Sequence, residues 1–576
     1  CKPKNIQHIV ISPGSRNAPL TIGFTEDPFF TCYSIIDERS AGFFALGMAQ
    51  QLQKAVAVVC TSGSAVLNYY PAVAEAFYSD IPLVVISADR PPYAIDIGDG
   101  QTIRQVNVLE KHVEYSANLK QDIRNDDLKV LGDGKNLPKL EAKLNPIMLQ
   151  AGIQQYNEKE INHALNICIE KNGPVHINVP FEEPLYEVVG ELSVSVKNEP
   201  LAQPSSILNE NELQYFVDNW NHYSRKMLLV GTAYPESLEM GTIKKIGEDN
   251  SVIVFTETTS NLHHENFFPG IDKIIAPIEK SDNADELFRK LRPELLITFG
   301  GMVVSKKIKA FLRKYQPKHH WHIDVKKAYD TYFCLERHVK MKPQEFFSRL
   351  LKQSKPIESN YQADWLTIKN RTEVAHQRYV SGIPFSDFKA FHHLLTSVPK
   401  GYMLQLGNSS TVRYAQLFNI DFSLKVFCNR GTSGIEGSTS TSLGASLPIQ
   451  PPTVFITGDL SFLYDANGLW NNYTRDDFRI IVANNQGGGI FRILPGDKHD
   501  KNFSTYLETT HSLSAEKLAE MYGYSYERAH NEKELLAALN GFYSASNAPK
   551  ILEIFTPRLQ NDEILLDYFT FLKENR

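Results

Sequence analysis

Two polar pairs near the C-terminus close successive apolar runs. Gly458-Asp459 ends "TVFITGD", and Asn484-Asn485 ends "FRIIVANN". The stretch between them is predicted to be helical, so adjacent strand ends would bring Asp459 and Asn485 together. A carboxylate, an amide oxygen and a nearby backbone carbonyl are hard oxygen ligands. Such a set suits Mg²⁺ or Ca²⁺, and Mg²⁺ retains phosphate oxygens as further ligands. Gly487-Gly488-Gly489 permits close backbone approach to a ligand, and a helix N-terminus favours a diphosphate. Either pair alone is an ordinary strand–helix turn with Asp459 as a cap. The two at successive strand ends are more specific. A second joint carries two acids and a base: "IIDERSAGFFALGMAQ" passes from an apolar run through Asp37-Glu38-Arg39 into a small-residue helix pattern. An acid in a first helical turn is favourable to the helix dipole.

The elements that must position these residues follow a βαβ rhythm. "HIVI", "KAVAVVC" and "IPLVVISAD" alternate with helical patterns, as do "KMLLVGTA", "SVIVFTET", "LLITFG" and "HWHIDV". The rhythm returns in "GYMLQLG", "LKVFCN", "TVFITGD", "FRIIVANN" and "PKILEIF". Short β-rich runs alternating with helices predict parallel sheets covered on both faces. Polar, Pro-bearing breaks at "VKNEPLAQPSS" (196–206) and "KQSKPIESNYQ" (352–362) divide the chain into three α/β domains, about 1–190, 200–355 and 365–576. The polar stretch from Leu119 to Glu160 reads as an excursion containing a helix. Ligands of open parallel sheets bind beyond the carboxyl ends of the strands, where Asp37-Arg39, Asp89-Arg90, Asp459 and Asn485 all fall.

The chain has 576 residues, 42% hydrophobic and 22% charged, with net charge −6. That is globular composition, without the clustered basic footprint of a nucleic-acid binder. No apolar run reaches the ~18 residues of a membrane span, and "CKPKNIQHIV" lacks a signal-peptide core. It also lacks Met, so a trimmed N-terminus is expected. The six cysteines show no metal spacing. A reducing, cytoplasmic setting is the simplest reading.

The GD…NN pair resembles the thiamine diphosphate motif of pyruvate-decarboxylase-like enzymes. Leu460 stands where their third motif residue is Gly. Such a substitution, with "SPGSRNAPL", "DERSAGFFALGMA", "SADRPP", "QTIRQ", "GNSSTVR", "NRGTSGIEG" and "NNQGGGIF", is similar to the menaquinone-pathway synthases that make 2-succinyl-5-enolpyruvyl-6-hydroxy-3-cyclohexene-1-carboxylate. The match covers the first and third domains well, and the middle one weakly except around Ser305-Lys306-Lys307.

The resemblance implies three doubly wound parallel-sheet α/β domains: pyrimidine-binding, middle, and diphosphate/Mg-binding. It implies decarboxylation of 2-oxoglutarate and 1,4-addition of the succinyl fragment to isochorismate. The expected cofactors are thiamine diphosphate and Mg²⁺ (or Mn²⁺). Sites are expected at the subunit interface of a homodimer or dimer of dimers. Glu38 is expected against N1′ of the aminopyrimidine as the catalytic acid, with Asp37 shaping the turn. Metal ligands would be Asp459, Asn485 and the Gly487 carbonyl. Ser409, Ile435, Ile490 and Phe491 would also line the cofactor. Arg413 and Arg430, with Ser409, would face 2-oxoglutarate. Ser15, Arg16, Arg90, Gln101 and Lys306 would face isochorismate, with Ile490 and Phe491 bounding the reacting centre. Arginine's planar fork suits carboxylates, and each expected substrate has two. Gly100 and Lys307 depart from the family's usual Asn and Arg. For Arg39 a local ion pair is expected, and the small residues after it suggest close packing in a subunit interface.

Rival readings are another thiamine diphosphate-dependent 2-oxoacid decarboxylase or acetohydroxyacid synthase-like carboligase, and a non-catalytic scaffold keeping the fold. The smaller, less anionic substrates of the former have little use for four arginines. Loss of Glu38, Asp459 or Asn485 would favour the latter, and all three are present. "HHWHID" places His320 and His322 on one strand face, without a third zinc ligand at a sensible spacing.

Overall fold

The computed structural model describes residues 1–123, 146–183, 185–190, 194–201, 208–493, 498 and 500–575. The first proposed break (196–206) and the polar excursion therefore lie partly outside the described residues. Within the excursion's range, a helix Pro146–Glu170 begins.

The described residues contain three six-stranded sheets, parallel throughout. The first is ordered Thr31–Ser34, His8–Ile11, Val56–Cys60, Leu83–Asp89, Val175–Pro180, Tyr115–Asn118. The second runs Arg337–Val339, His319–Ile323, Leu295–Phe299, Lys226–Val230, Val252–Thr256, Phe268–Pro269. The third runs Lys425–Cys428, Met403–Leu406, Thr453–Gly458, Arg479–Asn484, Lys550–Phe555, Ser525–Ala529. Central strands such as Val56–Cys60 and Leu295–Phe299 are buried along their whole length. This is why they read as continuous apolar runs instead of alternating ones.

The chain forms two compact units. One comprises residues 1–203 with 439–450 and 465–474, and holds the first sheet. The other comprises 204–438, 451–464 and 475–576, and holds the second and third sheets. Within the second unit, Asn261 is a direct tie between sheets. Its amide nitrogen donates to the Val426 carbonyl at 2.9 Å, and its oxygen accepts from the Val426 N–H at 2.8 Å.

In the first unit, helix Glu38–Leu52 packs on helix Ser438–Ser446 at backbone contact. A Cβ on Gly47 would overlap the Thr441 carbonyl, and one on Gly444 would overlap the carbonyl of Phe44. Among the small residues after Arg39, Gly47 thus serves a close contact inside the chain. The predicted helix between Asp459 and Asn484 is also shorter than read. It spans Asp459–Tyr464 and gives way to a 3₁₀ turn at Ala466–Leu469. It stops at Asp465, whose carboxylate instead accepts from Ser440 N at 2.7 Å and Ser440 Oγ at 2.9 Å.

Two glycine-to-alanine variants separate propensity from packing. Alanine gains roughly 1 kcal/mol over glycine in a helix interior. At Gly541 a Cβ meets nothing within 4 Å, so Gly541→Ala is expected to stabilise. At Gly47 the overlap outweighs that gain, and Gly47→Ala is expected to destabilise by about 1–2 kcal/mol net. Chemical denaturation of both variants checks the opposite signs.

Candidate active site

In the first unit, Asp37 has extended backbone and caps the helix that Glu38 begins. Its Oδ1 accepts from Arg39 N at 2.9 Å and Ser40 N at 3.3 Å, and its Oδ2 accepts from Asn467 Nδ2 at 2.8 Å. Both Asp37 oxygens are thus occupied. Glu38, half-buried, has one amide partner: its Oε2 accepts from Asn68 Nδ2 at 3.2 Å. Behind it lie Cys60 and Tyr69, whose acidic groups are pushed up first by burial and further by the Glu38 charge. Arg39 faces Asp465. Burial pushes that carboxyl up to about 7, against two Ser440 hydrogen bonds and the Arg39 charge.

The expected isochorismate residues of this unit sit on a buried polar network. Gln105 is its hub. Its Nε2 donates to Asn178 Oδ1 at 2.7 Å, the Ala88 carbonyl at 2.9 Å and Ser87 Oγ at 3.0 Å, while its Oε1 accepts from Gly63 N at 3.2 Å. Asn178 Nδ2 donates to Asp89 Oδ2 at 2.8 Å, and Asp89 Oδ1 accepts from Arg90 N at 2.8 Å. Burial lifts Asp89 to about 6 despite the Asn178 bond. Gln101 presses on the same turn: its carbonyl accepts from Ser62 Oγ at 3.1 Å. Arg16 is buried, and donates to the Phe181 carbonyl at 3.0 Å and Glu183 Oε1 at 3.2 Å. The Nε groups of Arg16 and Arg90 are buried without partners. Ser15 is exposed. At Gly100 a Cβ meets nothing within 4 Å, so the missing side chain leaves open space instead of a packing defect.

In the second unit, strands Thr453–Gly458 and Arg479–Asn484 pair directly, with Gly458 opposite Ala483. Asp459 and the Asn485–Gly487 turn therefore leave the sheet side by side. Asp459 Oδ1 accepts from Leu460 N at 2.7 Å, and Oδ2 from Gly487 N at 3.0 Å. Gly487 has φ +151°, and a Cβ there would crowd the Glu508 carbonyl. Asn484 Nδ2 donates to Glu553 Oε1 at 2.7 Å, and its Oδ1 accepts from Gln486 N at 3.0 Å. Asn485 is held by a buried acid: its Nδ2 donates to Asp387 Oδ2 at 2.9 Å. Burial lifts Asp387 to about 6, against hydrogen bonds from Thr556 and Asn485. With its nitrogen committed, Asn485 Oδ1 is left buried and without a partner. A buried acceptor without a donor is costly, and a cation would satisfy it. His511 Nε2 stands 3.2 Å from Asp459 Oδ2, and the carboxylate raises the imidazole above its ordinary value.

Beside this pair, Asn408 Nδ2 donates to the carbonyls of Asn429 and Gly434, each at 2.7 Å, and its Oδ1 accepts from Arg430 Nη1 at 2.7 Å. Arg430 Nε is buried without a partner. Arg413 Nη1 donates at 2.7 Å to the carbonyl of Ser409, whose φ is +66°. Burial, then the Arg430 charge, lower Arg413 from its ordinary value. Ser461 Oγ ties the Ile435 carbonyl at 2.6 Å. Ile490 is half-buried and Phe491 is exposed. Lys306 is exposed, whereas Lys307 pairs with Glu279 at 2.5 Å. His320 and His322 both bond Thr298 Oγ1, at 2.9 and 2.8 Å. Among the described residues no cluster of three or more His, Cys, Asp or Glu is arranged to hold a metal, so a cation here would rely on amide and carbonyl oxygens beside the Asp459 carboxylate. No helix of the described residues is long and apolar enough to cross a membrane.

A fold of parallel sheets with these strand ends defines the class. Residues 1–111 match the family model described as the thiamine pyrophosphate enzyme N-terminal TPP binding domain, and residues 407–554 the C-terminal TPP binding domain. The chain is 55% identical to the 2-succinyl-5-enolpyruvyl-6-hydroxy-3-cyclohexene-1-carboxylate synthase of Christiangramia forsetii, over 100% of this chain and 97% of that protein. It is 52% identical to the synthase of that name from Flavobacterium johnsoniae (99% and 97% covered), and 37% identical to that of Porphyromonas gingivalis (99% and 95%). The chain belongs to the 2-succinyl-5-enolpyruvyl-6-hydroxy-3-cyclohexene-1-carboxylate synthase family.

Sequence reasoning passed over Gln105, Asn408 and Asp387. The first two lay within quoted motifs, each as the polar residue nearest a turn. Asp387, in "IPFSD", has no local signal, because its partner Asn485 is remote in sequence.

Asp465 gives a pH test. Its folded value near 7 lies above the ordinary carboxyl value of 3.8, so the native state holds its proton more tightly. Its contribution is complete below about 4 and is lost as pH rises through about 7. Asp465→Asn is expected to flatten the stability change across that window, as read by urea unfolding at several pH values.

Proposed function

We infer that this chain is a carboligating transferase that decarboxylates 2-oxoglutarate and adds the succinyl fragment in 1,4 sense to isochorismate. The product is 2-succinyl-5-enolpyruvyl-6-hydroxy-3-cyclohexene-1-carboxylate, an intermediate of menaquinone biosynthesis. The observation that carries this is end-to-end identity of 55% with a synthase of that name. The domain bounds proposed are 1–190 for pyrimidine binding, 200–355 for the middle domain and 365–576 for the diphosphate.

The residues present fit thiamine diphosphate with Mg²⁺. Asp459, Asn485 Oδ1 and the Gly487 carbonyl would hold the cation, and the unpartnered Asn485 oxygen supports that assignment. Bound thiamine diphosphate supplies a carbon nucleophile and an electron sink. The protein supplies position and charge. Glu38 would hold a proton against N1′ of the aminopyrimidine; its oxygens, unlike those of Asp37, are not committed to capping. Ile435 would support the cofactor, and Ile490 and Phe491 would exclude water from the reacting centre. Arg413 and Arg430, with Ser409, would bind the 2-oxoglutarate carboxylates. Ser15, Arg16, Arg90, Gln101 and Lys306 would bind those of isochorismate. The proposed active unit is a homodimer, alone or paired, in which the first domain of one subunit meets the third of its partner.

Mixing the protein with 2-oxoglutarate, isochorismate, thiamine diphosphate and Mg²⁺ tests the reading. CO₂ release together with loss of isochorismate absorbance is expected, and their absence would sink it. Glu38→Gln is expected to keep cofactor affinity, measured by calorimetry, while turnover falls by about 10²–10⁴-fold. Asn485→Ala is expected to weaken Mg²⁺ binding in the presence of thiamine diphosphate, by roughly 10–100-fold.

A further inference from the structure

Glu257, at the carboxyl end of strand Val252–Thr256, is buried in the second unit. Its Oε1 accepts from Val304 N and Ser305 N, each at 2.8 Å, and its Oε2 accepts from Val304 N at 2.8 Å. These N–H groups stand at the start of helix Lys306–Lys314. The positive end of that helix, where an external anion would otherwise be favoured, is therefore filled by the protein's own carboxylate. Ser305 completes the mount. Its Oγ accepts from Ile308 N at 3.2 Å and donates to Asp272 Oδ1. Lys306, the first helical residue and exposed, thus projects from a helix end fixed by two acids, Glu257 after its strand and Asp272 in helix Ile271–Glu279.

The same two acids feel Arg413, in helix Ser410–Ala415, and Arg430, after strand Lys425–Cys428. Arg430 stabilises the charged form of Glu257, and Arg413 that of Asp272. Arg430 is held at Nη1 by Asn408 and has no partner at Nε. The groups facing Glu257 are Arg430, Asp272, Lys309 and Tyr332. Burial lifts Glu257 to about 7 even so, and its amide cradle is at full strength only when the carboxylate is charged.

We propose that Glu257 is a positioning residue that fixes Lys306 through the helix N-terminus it caps, with its charge facing Arg430 of the other carboxylate-binding set. This rests on the assignment of Lys306 to isochorismate and Arg430 to 2-oxoglutarate. It gives the middle domain a part in the reaction: holding Lys306 in register with Arg430.

Steady-state kinetics on the full-length protein test this with Glu257→Gln and Glu257→Asp. For Glu257→Gln, KM is expected to rise by about tenfold for isochorismate and several-fold for 2-oxoglutarate, with kcat falling less than about threefold. The wild-type kcat/KM for isochorismate is expected to show an acid limb near pH 7 that Glu257→Gln flattens and Glu257→Asp retains. A general loss of packing would not produce that difference. Should Glu257→Gln fail to fold, Glu257→Asp is read alone. It keeps the charge facing Arg430 and shortens the reach to the amides, so the KM for isochorismate is expected to rise more than that for 2-oxoglutarate. Unchanged KM values in the folded variant, or kcat loss without a KM change, would overturn the proposal. An inactive wild-type enzyme would refute the functional reading instead.

Discussion

A carboxylate at the end of a buried parallel strand is stable there only if donors replace the water it has lost. In this chain the donors are repeatedly backbone N–H groups, either of the next turn or of a turn remote in sequence. Asp37 takes those of Arg39 and Ser40, and Asp89 that of Arg90. Asp459 takes those of Leu460 and Gly487, and Glu257 those of Val304 and Ser305. Each such bond fixes the turn as much as it satisfies the acid. The side chains presented by those turns, Glu38, Arg90 and Lys306 among them, inherit their positions from acids that need touch no substrate.

The metal-binding candidate shows the same economy with an amide. Asn485 can rotate its oxygen and nitrogen between two arrangements of nearly equal shape, and at ordinary precision they differ only in their partners. Asp387 decides between them, because a buried carboxylate accepts and cannot donate when charged. The nitrogen is drawn to Asp387 and the oxygen is left facing away. The lift of Asp387 to about 6 is chiefly the penalty of burying it, to which the charge of Asp459 adds. It is tolerated because Thr556 and Asn485 both donate to it.

The sheets were legible because fully buried parallel strands write themselves as unbroken apolar runs, and Val56–Cys60 and Leu295–Phe299 are both of that kind. The strand-end rule then located Asp37, Asp459 and Asn485 before any pairing was known. Positions set by partners distant in sequence were not legible. Asp387 looks like a helix-start acid, and Glu257 like a strand-end acid among many. Gly47 reads as a small residue in an apolar helix, with nothing to say that a carbonyl of the Ser438–Ser446 helix lies against it. The break of the post-Asp459 helix at Asp465 was hidden for the same reason, since Ser440 supplies the competing donors.

Asp37 and Glu38 show how one peptide bond separates two roles. The two acids are adjacent, and their composition gives no reason to prefer either for proton transfer. The backbone does. Asp37 lies in the extended region, one residue before the helix, where a short side chain reaches the N–H groups of the first turn. Glu38 is the first helical residue; its own N–H is among those left unpaired by the helix, and its longer side chain accepts from Asn68. Both oxygens of Asp37 are engaged, Oδ1 by the N–H groups of Arg39 and Ser40 and Oδ2 by Asn467 Nδ2. Glu38 has one amide partner on one oxygen, so the proposed contact with the aminopyrimidine would not require the turn that presents it to be dismantled. The helix start therefore carries two acids in different positions: Asp37 holds its geometry, and Glu38 is not committed to it.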